Sequence, residues 1–209
     1  MERSVRRQPD GEVMKKNILE AAEQLVGEKG LAGLSIRTLA GRIGYSPAII
    51  YHYYKDREDL VRHLLEQGFR RIGEAVARAA EEPSAIKRLP ALMDAYIRAA
   101  LQYPYLYLAA HTSRDAGSRQ FTAVLDPAAA EKPAMRILIS TLREMDRDSR
   151  SPEEILRIAQ LMVAAAVGLT IRLIQEPDIP EEHREQLMED FCRSLPLWEK
   201  GTEVLKWKG

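Results

Sequence analysis

Residues 35–60 read SIRTLAGRIGYSPAIIYHYYKDREDL, and this stretch holds two short helices with a tight turn between them. Ser35 is placed to cap the first by accepting from an amide one turn on. Leu39, Ala40 and Ile43 form its inner face, and Gly44 stops it after about two turns. Ser46 followed by Pro47 starts the second helix, because serine suits the cap and proline the first helical position. That helix ends near Tyr54. Ile50 and Tyr54, four apart, face inward, which leaves Pro47, Ala48, Tyr51 and His52 on the other side. Such a pair lets the second helix enter a major groove while the first crosses the phosphate backbone.

Upstream, Met14, Ile18, Ala22, Leu25 and Val26 recur at intervals of three and four. They predict an amphipathic helix over residues 13–28, ended by Gly30 and Gly33. Residues 1–12 form a basic arm with Arg3, Arg6 and Arg7 and no apolar period. Downstream, Asp56 caps a longer helix in which Leu60, Leu64 or Leu65, Gly68, Ile72 and Val76 repeat until Pro83, a rod of about 24 residues and roughly 36 Å. Further helices are expected near 84–102, 104–113, 127–146, 152–175 and 180–195. The polar stretch SRDAGSRQFTAVLD between Ser113 and Pro127 is expected to be a loop. The fold class is therefore all-α: a three-helix helix-turn-helix domain over 13–56, joined by a long helix to a helical ligand-binding and dimerisation domain over 57–209.

Composition agrees with a helical globular chain. Of 209 residues 45% are hydrophobic and 30% charged, with 12 glycines and 11 prolines. The net charge is zero, and residues 1–57 carry ten Lys or Arg against seven acids, so charge supports a nucleic-acid partner only weakly. A single cysteine, Cys192, excludes an internal disulfide and fits a reducing compartment. No secretory start is recognisable, so the cytoplasm is expected. The apolar run 158–174 contains Gln160 and Arg172 and falls short of the roughly 20 residues that span a bilayer, so it reads as a buried helix and no membrane partner is expected.

The outer face of the second short helix suits DNA. Small residues let the backbone approach base edges, and a tyrosine hydroxyl reaches phosphate. Arg37 is placed to pair with guanine through both arms of its guanidinium, and Arg57, at the start of the long helix, to meet a phosphate. The arm arginines can follow the minor groove. The same stretch, with ILEAAEQLVGEKGLAGLS before it, resembles the N-terminal domain of TetR-type repressors over about residues 13–65. The resemblance lies in a hydroxyl residue followed by Arg, Leu-Ala, Gly, a Ser-led helix start, then aliphatic-Tyr-x-Tyr-aromatic and a basic residue before a long helix. It implies double-stranded operator DNA as partner and Arg37, Thr38, Pro47, Ala48, Tyr51, His52, Tyr53 and Arg57 as contacts, Tyr51 and Arg57 to phosphate. Ile49 stands where a small polar residue is usual.

The C-terminal part carries no chemical motif of its own. LMVAAAVGLTIRLI, within 153–176, is apolar around nearly its whole circumference and must be covered on all sides. Leu187, Met188, Phe191, Cys192 and Leu195 make a second apolar stripe. By the resemblance the last two long helices pair with those of a second subunit in an isologous homodimer, through Leu161, Ala165, Gly168, Leu187, Phe191 and Leu195. Met93, Tyr96, Ile97, Tyr103, Tyr105, Tyr107, His111, Phe121, Met135 and Met162 form a set with the composition of a small-molecule pocket. Singly, each also reads as plain core. As a set they suggest an apolar or aromatic effector whose binding releases DNA.

Two other readings compete. An enzyme would need a metal held by His111 and Asp115, with His183 remote, but four histidines and one cysteine make no tight cluster, and neither a phosphate-cradling loop nor a set nucleophile is present. No catalytic residue, resident metal or cofactor is expected. A helical adaptor without DNA binding is allowed by the neutral charge and opposed by Arg37, Tyr51 and Arg57.

Overall fold

The first helix boundary is set by a backbone that only glycine adopts cheaply: Gly30 has φ +66°, so the helix before it cannot continue. The computed structural model describes residues 11–112, 116–146 and 149–200. These residues form ten α-helices: α1 Gly11–Lys29, α2 Ile36–Ile43, α3 Pro47–Tyr53, α4 Arg57–Ala79, α5 Ala85–Leu101, α6 Pro104–Thr112, α7 Ala116–Thr122, α8 Pro133–Asp146, α9 Pro152–Gln175 and α10 Glu181–Lys200. Short 3₁₀ turns occupy Leu31–Gly33 and Pro127–Glu131. No strand occurs among the described residues. The arm arginines Arg3, Arg6 and Arg7 and the ligand candidate Asp115 lie outside them.

The all-α expectation stands, with local corrections. The first helix begins at Gly11, the long helix closes at Ala79 well before Pro83, and the last runs on to Lys200. The expected loop contains α7, a short helix without an apolar period to announce it. The helix expected from 127 is a 3₁₀ turn started by Asp126, whose carboxylate accepts from the Ala128 amide at 2.8 Å, and α8 follows from Pro133.

The chain divides into two compact units, Met1–Gly68 with Tyr105–Phe121, and Phe69–Pro104 with Thr122–Gly209. In the first, α1 packs on α2 and α2 on α3. Its core is built from Ile18, Ala22 and Val26 of α1, Leu39 of α2, Ile50, Tyr54 and Leu60, all fully buried or within 1% of it. In the second, α5 packs against α8, α9 and α10. Leu89, Leu92 and Ile97 meet Leu138, Met162, Ala166 and Leu195 there.

The residues of α9 divide between two faces. Ile155, Ala159, Met162, Ala166, Thr170 and Leu173 enter the core at helical spacing. Across the helix Leu161 is 60% exposed, with Ala164 and Gly168 also exposed. The helix that composition required to be covered all round is thus covered on one side. The helix has 24 residues and contains an 18-residue window of mean hydropathy 1.7, so by length and composition alone it is long and apolar enough to cross a membrane, as core helices also can be. Its start is fixed by Ser151 and Glu154, which exchange side-chain and backbone bonds at 3.2 and 2.9 Å.

Leu195 is a further correction. It is fully buried in its own chain with Met188 and Cys192, whereas Leu187 and Phe191 are only half-buried. The apolar stripe on α10 therefore splits into a core edge and an outer edge, and Leu195 belongs to the former. Burial pushes the Cys192 thiol up to about 11, with the Asp94 charge adding to it. At neutral pH the thiol is therefore held in its unreactive protonated form. Iodoacetamide is expected to leave Cys192 unmodified in the native protein and to label it only as urea unfolds the chain. Rapid labelling without urea would contradict this packing.

Candidate nucleic-acid interface

Helix α3 is short because its flanks are fixed. Ser35 Oγ accepts from the Thr38 amide at 3.0 Å and lies 2.6 Å from Thr38 Oγ1, so α2 starts where the sequence places it. Gly44 ends it with φ +71°, a left-handed turn that costs a residue with a Cβ about 1–2 kcal/mol. Its own N–H donates back to the Gly41 carbonyl and that of Tyr45 to Ala40, as in a glycine-closed helix end. Ser46 occupies the cap position of α3, but its side chain makes no capping bond, and Pro47 alone pre-sets the first turn.

With only seven residues, α3 keeps one buried side chain, Ile50. Tyr54 follows as its C-cap, 1% exposed, with its hydroxyl 3.4 Å from the Lys15 carbonyl and its ring edge-on to His63. The opposite face is open: Pro47, Ala48 and His52 are exposed, and Tyr51 is 55% exposed. Arg37 is exposed on α2, and Thr38, Ile49 and Tyr53 are half-buried. The Tyr53 ring stands edge-on to His52 and leans on the start of α1 at Gly11. The structure thus brings Arg37, Pro47, Ala48, Tyr51 and His52 onto the exposed surface of these two helices, with Thr38 drawn into the α2 cap and Tyr53 shared with α1.

The basic residues around this surface differ in freedom. Arg42 pairs with Glu28 of α1 at 2.5 Å, which holds the Glu28 carboxyl below its usual range. Arg57 is exposed, and its guanidinium folds back along the surface, donating from Nε to the Leu34 carbonyl at 2.7 Å and from Nη2 to the Leu31 carbonyl at 2.6 Å. Lys55 is exposed, and only its backbone N–H is engaged among the described residues, by Asp59 at 3.0 Å. That bond, before the charges of Arg62 and His63, lowers the Asp59 carboxyl. Lys55 was not singled out from the sequence; its place between α3 and the Asp56 cap of α4 is the signal that marks it.

Residues 18–64 match the family model described as bacterial regulatory proteins, tetR family. The chain thus carries a tetR-type segment over these residues. One curated relative, the HTH-type transcriptional regulator BetI of Stenotrophomonas maltophilia, is 33% identical over 66 residues, 32% of this chain and 34% of that protein. The matched segment thus spans about a third of the relative's length. Beyond the TetR-family segment, likeness is of fold. A putative transcriptional regulator from Pseudomonas aeruginosa PAO1 aligns at TM-score 0.73 with 19% identity over 95% of this chain and 94% of that one. FadR from Bacillus subtilis, solved in complex with stearoyl-CoA, aligns at 0.69 with 16% identity over 86% and 96%. These matches are named as regulators rather than enzymes.

The candidates of the expected effector set fall in both units. Tyr107, His111 and Phe121 belong to the first unit; Met93, Tyr96, Ile97, Tyr103, Met135 and Met162 belong to the second. Met93, Ile97, Met135 and Met162 are packed into the second unit's core at 5% exposure or less, and Tyr96 lies half-buried against it. Tyr103 lies under the Arg71 guanidinium at 4.6 Å. Tyr105 is 53% exposed. An open groove of about 660 Å³ does run between α4 and α5. It is lined by Arg71, Glu74, Arg78, Asp94, Arg98 and Tyr103 over a floor of alanines, a polar rim that includes Tyr103 of the expected effector set. Arg98 there bonds Asp94 and, at 3.0 and 2.6 Å, Glu185 of α10.

His111 is half-buried; its Nδ1 lies 2.9 Å from the Tyr107 carbonyl, and burial lowers its pKa. His183 belongs to the other unit. No group of three His, Cys, Asp or Glu among the described residues could hold a metal ion.

Proposed function

We propose that this protein is a sequence-specific DNA-binding transcriptional regulator, acting as a homodimeric repressor that a small molecule releases from its operator. The observation that carries the reading is the open face of α3, with Pro47, Ala48, Tyr51 and His52 turned outward from a single buried anchor. Pro47 and Ala48 allow close approach to base edges, Tyr51 and Lys55 meet phosphates, and Arg37 reads a base or a phosphate at the groove edge. The TetR-family segment supports the same assignment.

The homodimer is supported by the uncovered side of α9, where Leu161, Ala164, Ala165 and Gly168 follow a three-four spacing, and by the outer edge of α10 at Leu187 and Phe191. Two-fold pairing through these residues sets the reading helices about 34–36 Å apart, one turn of DNA. Residues 57–209 form the regulatory part in this reading, and 13–56 the reading head. An effector that favours the released state by about 5.5 kcal/mol would move the population from 1:99 to 99:1. The ligand is a small apolar or aromatic molecule; the fatty acyl thioester bound by FadR, a protein of the same fold, supports an apolar one. The site of action is the cytoplasm.

Selection from a random-sequence DNA library, followed by mobility shifts, tests the reading. The wild type is expected to enrich one partly palindromic sequence, and Arg37→Ala to bind it about 5- to 150-fold more weakly, as the loss of one good base contact does. No enrichment by the wild type would replace the regulator with the adaptor.

A further inference from the structure

We propose that Arg57 is a positioning residue of the reading head rather than one of its phosphate contacts; the inference rests on the DNA-binding reading above. Arg57 is the first residue of α4. Its guanidinium turns back across the head, where Nε–H and Nη2–H donate to the carbonyls of Leu34 and Leu31 at 2.7 and 2.6 Å. These donors share one edge of a planar group, so both bonds are made from a single rigid orientation. The acceptors bracket the 3₁₀ turn between α1 and α2, and the Leu31 carbonyl also accepts from the Leu34 amide at 3.2 Å. Leu34 is 1% exposed and directly precedes Ser35, the cap of α2.

The other end of the tie is equally fixed. Asp56 Oδ1 accepts from the Asp59 amide at 2.8 Å, and Asp59 Oδ2 accepts from the Lys55 amide at 3.0 Å, so the first turn of α4 is closed before Arg57 reaches out from it. One side chain therefore joins a rigid helix start to the turn that aims α2 and Arg37. The two bonds commit the Nε–Nη2 edge to the turn and leave only the Nη1 end of this exposed residue toward solvent, so a two-pronged phosphate contact through the Nε–Nη2 edge would cost the tie. The exposed Lys55, two residues earlier, supplies the positive charge without breaking any of these bonds. Lysine at position 57 would keep the charge and lose the two-pronged edge, which separates the two roles.

The experiment titrates the full-length wild type, Arg57→Lys and Arg57→Gln against the selected operator over a range of salt. Positioning predicts that both variants lose about tenfold or more in affinity, with the slope of log K against log salt unchanged. A phosphate contact predicts Arg57→Lys near wild type and a slope reduced by about one in Arg57→Gln; either result overturns the proposal. Affinity is taken per folded protein with melting temperature measured alongside, so that a loss confined to stability also overturns it. Should the variants fail to fold, the wild type decides. Its Arg57 Nε–H is expected as a slowly exchanging NMR signal without DNA, and a signal that appears only on adding DNA would reject the tie. A wild type that selects no DNA refutes the regulator reading, while the same NMR signal still reports whether the tie exists.

Discussion

Leu161→Glu combined with Phe191→Glu is expected to turn the protein into a monomer and to weaken operator binding by about 10²–10⁴-fold. Leu161 is 60% exposed and Phe191 only half-buried, so neither change opens a hole in the chain's own core. Across a two-fold axis each substitution is met twice, and a carboxylate placed in an apolar interface without a partner is costly to desolvate. The affinity loss follows from geometry rather than lost contacts: two linked heads gain the effective concentration of an intramolecular second step, and one head does not. Sedimentation velocity and operator titration check both halves. A dimer that survives the double change, with full operator affinity, would place the subunit interface elsewhere.

The second large effect separates two tyrosines three residues apart. Tyr54→Ala removes a ring that is 1% exposed and packed against His63, and is expected to destabilise the protein by about 3–5 kcal/mol. Set against a typical total of about 5–15 kcal/mol, that leaves the head close to unfolding at physiological temperature. Tyr54→Phe should cost less than about 1 kcal/mol, because the hydroxyl sits at 3.4 Å from its acceptor, a long bond. Tyr51→Ala is expected to do the reverse. At 55% exposure its stability effect stays within about 0.5 kcal/mol. Operator affinity falls about 10- to 100-fold, through one hydrogen bond to a charged phosphate. Urea denaturation and mobility shifts on the three variants distinguish the roles, and equal effects from Tyr51→Ala and Tyr54→Ala on both measurements would contradict the assignment of faces.

What the sequence made legible is what local chemistry decides. Gly30 and Gly44 with positive φ, Ser35 as a cap and the Ile50–Tyr54 spacing each act within one or two turns, and each stands where the residues put it. Arg57 escaped such reasoning because its partners lie 23 and 26 residues upstream, and an arginine at a helix start looks the same whether it faces a carbonyl or a phosphate. Leu195 was misread for a related reason. A helical period groups residues on a stripe, but only the neighbours decide which edge of the stripe meets the chain's own core. Methionine, isoleucine and tyrosine serve a core as readily as a pocket, and only packing separates the two uses, as it does for Met93, Ile97, Met135 and Met162 in the second unit's core.

The first unit is not a continuous length of chain. It recruits Tyr105–Phe121, and Leu106, Tyr107 and Ala110 of α6 are buried, with Leu106 Cδ1 3.9 Å from where a side chain on Gly68 would begin. A gene recombined at a single crossover after codon 68 would therefore inherit α1–α3 without the segment that completes their unit. Under the proposed function, exchange of binding preference would require two crossovers, or a coevolved match at α6, and this ties the lineage of the first 68 residues to that of Tyr105–Phe121.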